Sequence, residues 1–120
     1  MRDYRKLLIW QKGIEITKDV YRIIDYLPPE EKYGLRSQIS RAAISIPSNI
    51  AEGCSRSSEL EFKRFLEIAL GSVFELETQI FLIKELGIIQ ESKLEDLFQL
   101  LHEEQKMINT LIGKLERNKG

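Results

Sequence analysis

The sequence predicts an all-α protein, an antiparallel up-and-down four-helix bundle that folds as a single domain over residues 1–120. Three observations lead to this prediction. Apolar residues recur at intervals of three and four along four stretches, short polar or proline-containing segments separate them, and no stretch alternates as a strand does. With 120 residues, 42% of them apolar, the chain can bury a modest core without disulfides or a metal.

The first two helices are predicted over residues 4–27 and 33–53. Trp10 lies on the apolar stripe of the first helix, which favours a packing role for its ring. Pro28 ends this helix because a proline disfavours helical geometry at the residue before it. The second stripe continues to Gly53, where a polar loop begins.

The third helix is predicted over residues 59–86 and is the longest of the four. Ser58 followed by Glu61 forms a capping box, in which each side chain bonds to the backbone of the other residue. Gly87 suits the position just after the helix, where the backbone commonly takes a left-handed conformation.

The fourth helix is predicted over residues 93–117, opened by a second capping box of Ser92 and Glu95. Short connections between all four helices favour neighbours that run antiparallel. The sequence contains no repeat of 20 to 50 residues and no low-complexity tract, so a solenoid is not indicated.

The segment "SIPSNIAEG" places a proline inside the second helix. Pro47 has no amide hydrogen, so the carbonyl of Ala43 loses its helical partner and we expect the helix to kink near Pro47. Polar residues flank the apolar stripe here, and we interpret them as a hydrogen-bonded network that fixes helix register. An alternative is a small-molecule pocket or an active site at the kink. The candidate residues of the structural polar network are Arg41, Ser45, Asn49, Glu52, Ser72 and Glu75.

The third helix carries more apolar surface than one bundle seam needs. Leu70, Phe74 and Phe81 widen its stripe to roughly 200°, about twice the usual arc. We interpret these three residues as a candidate oligomer interface. The alternative is that a central helix contacts two neighbours and needs a wide arc for that reason alone.

The residues of an enzyme or a metal centre are missing from the sequence. His102 is the only histidine, and Gln99 stands three residues before it, so the Glu-x-x-His element of a di-iron bundle is absent. With Glu103 and Glu104, His102 is expected to form a solvated cluster.

Cys54 is the only cysteine, which excludes an internal disulfide and favours a reducing, cytoplasmic setting. We therefore expect no catalytic residue, no metal and no cofactor, and no apolar run long enough to cross a membrane.

Two longer stretches of the sequence resemble a known protein family. "YGLRSQISRAAISIPSNIAEG" followed by "FKRFLEIALGSVFELETQIFLIKELG" resembles the bacterial four-helix-bundle family named for proteins encoded in intervening sequences of large-subunit ribosomal RNA genes. That family includes the accessory variability proteins of diversity-generating retroelements. The resemblance extends from "LIWQKG" to "KMINTLIGKL". The matching positions are Gln38, Arg41, Ala42, Ser45, Ile46, Pro47, Asn49, Ile50, Ala51, Glu52, Gly53, Gly71, Ser72, Glu75 and Leu76.

The resemblance implies a ring-like homopentamer without known enzymatic chemistry. It further implies, from the retroelement members, a basic surface that binds RNA and a reverse transcriptase. This chain departs from those members in its charge, because 18 Lys and Arg residues are balanced by 19 Asp and Glu residues. A nucleic-acid surface would have to be a local patch.

Positive charge collects in two segments of the chain. Residues 1–12 hold four basic and one acidic residue, and residues 33–64 hold five basic and three acidic residues. Ring symmetry would repeat such a patch and raise its avidity. The alternative is that these are ordinary solvated charges. The candidate nucleic-acid-binding residues are Arg2, Arg5, Lys6, Lys12, Arg36, Arg56, Lys63 and Arg64.

The sequence thus favours a non-enzymatic, self-assembling scaffold or adaptor whose partners are copies of itself and RNA or a nucleic-acid-processing protein. The second hypothesis is a purely structural module that binds another protein and no nucleic acid. An unrecognised enzyme is the third.

Overall fold

The computed structural model describes residues 2–31 and 33–118, so residues 1, 32, 119 and 120 of the predicted domain lie outside the described part. Over the described residues the protein is all-helical, without a strand. It is elongated, with extents of 49 × 22 × 20 Å. The four helices are α1 (Leu8–Ile23), α2 (Leu35–Cys54), α3 (Glu59–Glu85) and α4 (Glu95–Arg117). The predicted four-helix bundle is confirmed.

The first helix is shorter than predicted. Tyr4–Lys6 forms a separate 3₁₀ turn, because Leu7 adopts extended geometry between this turn and α1. A second 3₁₀ turn, Ile24–Tyr26, follows α1, and Leu27 is again extended, as the proline after it requires. Periodicity alone had joined these three elements into one helix.

Two of the predicted helix ends are observed. The Ser58 hydroxyl accepts a hydrogen bond from the Glu61 amide at 3.1 Å at the start of α3. Gly87 has a φ of +69°, and the amide of Ile88 donates to the carbonyl oxygen of Ile83, which closes the end of α3.

The predicted capping box at the start of α4 is wrong. A 3₁₀ turn, Glu91–Lys93, occupies this segment, and Leu94 precedes α4 without a side-chain cap. The side chain of Leu94 is fully buried, so apolar packing rather than a hydroxyl cap positions the start of the helix.

Each helix packs against its neighbours in the sequence, and α1 also packs against α4 around a shared core. Contacts at the ends of the helices support the up-and-down order, which stays a prediction. At one end the Arg2 amide donates to the Cys54 carbonyl oxygen, and Lys63 pairs with Glu116 at 3.3 Å. We call this the N-terminal end of the bundle.

The helix α2 continues through Pro47 without a break in its assignment, and the size of the bend there stays a prediction. The Thr17 hydroxyl lies 3.3 Å from the carbonyl oxygen of Ala43, which Pro47 deprives of its helical donor. A Cβ atom placed on Gly13 would lie 3.3 Å from the proline ring, so α1 approaches α2 closely at this point. The same hydroxyl lies 2.9 Å from the Gly13 carbonyl oxygen of its own helix, so its one proton is shared and compensates the Ala43 carbonyl only in part.

Candidate functional site

A short hydrogen-bonded chain joins α2 and α3, as the polar residues of "SIPSNIAEG" predict. The Ser45 hydroxyl lies 2.5 Å from the hydroxyl of Ser72, which donates to the Ile68 carbonyl oxygen at 3.3 Å. The side-chain amide of Asn49 donates to the backbone carbonyl oxygen of Ser45, one turn earlier in α2, at 2.8 Å. These half-buried groups therefore find partners, which lowers the cost of placing them beside the core.

The other three residues of the predicted network do not join this chain of hydrogen bonds. Arg41 donates to the Ser37 hydroxyl of its own helix at 3.3 Å, and Glu52 pairs at 3.3 Å with Arg56, just beyond the end of α2. Glu75 is exposed. Of the six candidates, only Ser45 and Ser72 thus bond to each other across α2 and α3, and Asn49 adds a bond within α2.

A polar cleft of about 280 Å³ opens beside this network, between α2 and α3. It holds one guanidinium and one carboxylate, a small set of polar groups at the place where the sequence left an active site open as an alternative. No histidine and no cysteine lies among its walls. The lining residues are Gln38, Arg41, Ala42, Ser45 and Glu75.

Gly53, the last residue of the motif, lies where α2 meets the start of α3. A Cβ atom at this position would lie 2.8 Å from the Phe65 Cβ atom and 3.4 Å from the Phe62 carbonyl oxygen. Any side chain would push the two helices apart, so the glycine is required for their close approach.

Cys54 follows Gly53 and is buried, with 1% of its surface exposed. Burial raises the pKa of its thiol, and the nearby positive charge of Arg2 opposes that effect. The thiol is therefore held in its unreactive, protonated form.

The structure divides the candidate nucleic-acid-binding residues between distant places. Arg36 lies 3.5 Å from Asp25, beside the turn that follows α1, far from the N-terminal end. Lys12 lies in the second turn of α1, where its ammonium group pairs with the Glu103 carboxylate of α4 at 2.7 Å. The six that remain at the N-terminal end are Arg2, Arg5, Lys6, Arg56, Lys63 and Arg64.

Carboxylates neutralise half of the cations at the N-terminal end. Arg2 lies 3.6 Å from Glu59, Arg56 pairs with Glu52, and Lys63 contacts Glu116. Within the described part of the chain, Arg5, Lys6 and Arg64 form no ion pair. The free positive charge is thus smaller than the count of basic residues suggests.

An aromatic pair lies next to Arg5. The Arg5 guanidinium is 5.2 Å from the centre of the Tyr4 ring, and the Tyr4 and Trp10 rings are 5.2 Å apart at an angle of 59°. Both rings are half-buried and pack against the core, which agrees with the packing role expected for Trp10. A groove of about 390 Å³ between α1 and α2 exposes their remaining edges.

The outer face of α3 carries two exposed aromatic rings. Phe74 is 46% exposed and Phe81 is 47% exposed, while the third predicted interface residue, Leu70, is half-buried and packs against the core. Gly71 shares this face, and a Cβ atom placed on it would meet no atom within 4 Å. The chain thus keeps a glycine in the middle of a long helix, at a cost of about 1 kcal/mol, without a packing reason inside the monomer.

Glu104 is a buried ionisable residue that sequence analysis missed. The prediction of a solvated cluster with His102 and Glu103 is wrong for Glu104, whose side chain is fully buried. Within the described residues neither carboxylate oxygen has a hydrogen-bond partner. Burial raises the pKa of Glu104 to about 8, Lys12 on α1 opposes the rise, and Glu15 adds to it.

The helical spacing contained the signal for this burial. Glu104 lies three residues after Leu101 and four before Ile108, and both of these leucine and isoleucine side chains are buried. Glu103, its neighbour, points outward, where Lys12 and Gln99 hold the pKa of its carboxyl below the usual range.

Among the described residues, no group of three His, Cys, Asp or Glu side chains is arranged to hold a metal ion. None of the helices in the described part of the chain combines the length and the apolarity that a bilayer crossing requires.

Comparisons with known proteins give a family and a fold. The model of the family described as 23S rRNA-intervening sequence protein matches residues 5–110. A crystal structure of a protein of unknown function from the S23 ribosomal protein family of Bacteroides thetaiotaomicron VPI-5482 is similar, with a TM-score of 0.81 and 25% sequence identity. The similarity covers 88% of this chain and 98% of that chain. Among curated proteins, none matches the sequence.

Proposed function

Because the chain belongs to the 23S rRNA-intervening sequence protein family, we propose that it is a non-enzymatic scaffold that assembles with copies of itself. The assembly is a ring-like homopentamer, as the family resemblance implies. Its repeated N-terminal ends contact RNA or a nucleic-acid-processing protein. The cleft beside Ser45 has a structural role in this proposal.

The outer face of α3 is the observation that carries the assembly. Phe74 and Phe81 leave nearly half of their rings in water, and covering each ring would contribute about 1 kcal/mol or more. Gly71 leaves room on the same face for a backbone or a bulky side chain of another copy. Exposed apolar surface together with an unfilled glycine position supports a subunit interface.

The unpaired cations at the N-terminal end support the RNA contact. Arg5 and Lys6 lie side by side in the chain without an ion pair in the described structure, and Arg64 is likewise free at the start of α3. One copy presents few such charges, but a ring repeats them around its axis. Several weak phosphate contacts then give a salt-sensitive complex.

The second candidate function is a protein-binding module without a nucleic-acid role. The ion pairs of Arg2, Arg56 and Lys63 favour it, because a cation already paired with a carboxylate attracts phosphate weakly. The net charge of −1 for the whole chain favours it as well.

Light scattering on a sizing column tests the assembly. We expect the native chain to elute as an oligomer and Phe74→Glu to elute as a monomer, because a carboxylate would be buried in the interface. Tyr21→Glu is the matched control, since Tyr21 on α1 is 48% exposed and lies outside this face. A native chain that elutes as a monomer would overturn the scaffold proposal.

The same column, run with a structured RNA at low and moderate salt, tests the nucleic-acid contact. We expect the oligomer to gain mass with RNA, to lose it as salt rises, and to bind more weakly after Arg5→Glu with Lys6→Glu. Lys18→Glu, a charge reversal on an exposed part of α1, should leave binding unchanged. An oligomer indifferent to RNA would favour the protein-binding module instead.

A further inference from the structure

A groove of about 460 Å³ opens at the N-terminal end, between the start of α1 and the last turns of α4. Aliphatic and thioether side chains form its floor, and Leu8 at its edge is 68% exposed. Neither the polar network nor the face of α3 contributes to it. The lining residues are Lys6, Leu7, Leu8, Ile9, Lys106, Met107, Thr110, Leu111 and Lys114.

The charges around this groove are all positive. Lys6, Lys106 and Lys114 line it, and no carboxylate does. In the described part of the chain none of the three lysines forms an ion pair. An apolar floor between unpaired ammonium groups is complementary to a ligand with an apolar face and carboxylates on both flanks.

The groove that lies further along the same seam provides a contrast. It is similar in volume, about 510 Å³, but its walls hold acidic and basic groups together. Glu15 and Asp96 lie there with Lys18 and Arg22, so its charges compensate one another. The one-sided charge is therefore specific to the groove at the N-terminal end and does not follow from packing α1 against α4.

We propose that this groove binds an acidic amphipathic helix of a partner protein. Lys106 and Lys114 are separated by eight residues of α4, about 12 Å or two helical turns, which matches the spacing of apolar anchors on a docked helix. Leucine-type anchors would pack on Met107 and Leu111, and flanking carboxylates would reach the three ammonium groups.

The composition of the floor favours a protein ligand over RNA. No aromatic ring lines the groove, so nucleobases would find no stacking surface there. This inference goes beyond the proposed scaffold function and does not depend on assembly, because the groove is complete within one chain.

The probe is a synthetic amphipathic peptide of about five helical turns, with leucine on one face and glutamate on both flanks. We expect saturable binding to the full chain by fluorescence anisotropy. A peptide with glutamine in place of glutamate, and one with the same composition but the leucines scattered, should bind at least about tenfold more weakly.

Two variants of the chain locate the peptide. Leu8→Asp removes an apolar anchor, and Lys106→Glu reverses one charge; each should weaken binding about tenfold. Aspartate is favourable at the first position of a helix, so Leu8→Asp should fold. Arg64→Glu is the matched control, a charge reversal at the same end on α3, and should leave binding unchanged. Circular dichroism verifies that all three are folded.

Three results would overturn the proposal. The first is absence of saturable peptide binding to the folded native chain. The second is equal loss of binding in Arg64→Glu and Lys106→Glu, which would indicate attraction to the whole end rather than to the groove. The third is that another occupant takes the place of the peptide. If the peptide does not bind and Leu8→Asp changes the oligomer mass, the groove holds a second copy of the chain. If the peptide does not bind and single-stranded RNA does, the groove holds RNA.

Discussion

The seam between α2 and α3 differs from the seam between α1 and α4. At the first, Ser45 and Ser72 satisfy each other and Gly53 lets the two backbones approach. At the second, Glu104 is buried without a partner among the described residues, and two open grooves lie along the surface. We call the first seam the closed seam, because its backbones approach at Gly53 and its serine hydroxyls pair, although a cleft of about 280 Å³ opens beside them. The second seam instead leaves a buried carboxyl without a partner in the described structure.

The difference shows how a small bundle can separate stability from binding. Paired polar groups and close backbones fix the register of α2 against α3, since any shift would break hydrogen bonds or force a clash. The seam between α1 and α4 depends on apolar packing and on one ion pair at its rim, between Lys12 and Glu103. Such a seam can adjust at lower cost when a ligand binds.

The largest expected effect concerns the carboxyl of Glu104. Its ordinary pKa of 4.5 is raised to about 8 in the folded chain, so the folded state holds its proton more tightly than the unfolded state. The contribution of Glu104 to stability is therefore complete below pH 4.5 and is lost as pH rises through 8, by about 5 kcal/mol in total. Glu104→Gln should remove this loss and be the more stable protein at pH 8. Urea denaturation at several pH values measures it, in the Phe74→Glu background so that association does not contribute.

Glu103→Gln is the control for that experiment because the adjacent carboxyl behaves in the opposite sense. Lys12 lowers the pKa of Glu103 in the folded state, so its contribution is present at neutral pH and is lost in acid. Glu103→Gln should lower the free energy of unfolding at neutral pH. It should keep the loss of stability that the parent chain shows as pH rises toward 8. A parent chain whose stability is flat between pH 4.5 and pH 8 would mean that Glu104 is solvated and that the two seams do not differ in this respect.

The second effect tests the closed seam at Gly53. Gly53→Val should lower the free energy of unfolding by about 3 kcal/mol, because its side chain would overlap Phe65 and the backbone of Phe62. Gly71→Val is the matched control, since open space surrounds that glycine. In the same Phe74→Glu background it should change stability by less than about 1 kcal/mol. Equal effects of the two substitutions would show that helix propensity, and not close approach, explains the loss.

The smallest effect concerns the hydrogen bond between the two serines. Ser72→Ala should cost about 1 kcal/mol, because the Ser45 hydroxyl loses its partner on α3. Thr78→Ala is the control: the Thr78 hydroxyl bonds only to the Phe74 carbonyl oxygen of its own helix. Thermal unfolding in parallel compares the two. A larger loss for Thr78→Ala would mean that the bond between α2 and α3 does not stabilise the closed seam.

The sequence was sufficient for the fold because apolar spacing and chain breaks determine helices locally. Ser58 and Gly87 behave as their residue types predict, since a cap depends on neighbours within one turn. The predicted capping box at the start of α4 was wrong because the long-range packing of the buried Leu94 side chain, and not the hydroxyl of Ser92, positions that end of the helix. Local rules fail where tertiary packing decides.

The candidate site was less predictable for a related reason. Of the polar network, only Ser45 and Ser72 bond to each other across α2 and α3. Asn49 and Arg41 bond within α2, Glu52 pairs with Arg56 just beyond that helix, and Glu75 is exposed. The groove of lysines was missed because Lys6 and Lys106 are a hundred residues apart in the chain. Counting charge by segment singled out residues 1–12 and 33–64 but not the lysines of α4, and only the packing of α4 against the start of α1 joins them to Lys6.

The buried thiol at the end of α2 makes the rate of local opening measurable. Cys54 is the only cysteine in the chain, and its carbonyl holds the amide of Arg2 at 3.2 Å. A thiol reagent therefore needs a local opening of the fold to reach the sulfur, and the hydrogen bond from Arg2 places the first residues of the chain beside this part of α2. The alkylation rate of the native protein thus measures how often the structure around Cys54 opens. We expect a ligand that holds Lys6 and Leu8 in place to slow alkylation.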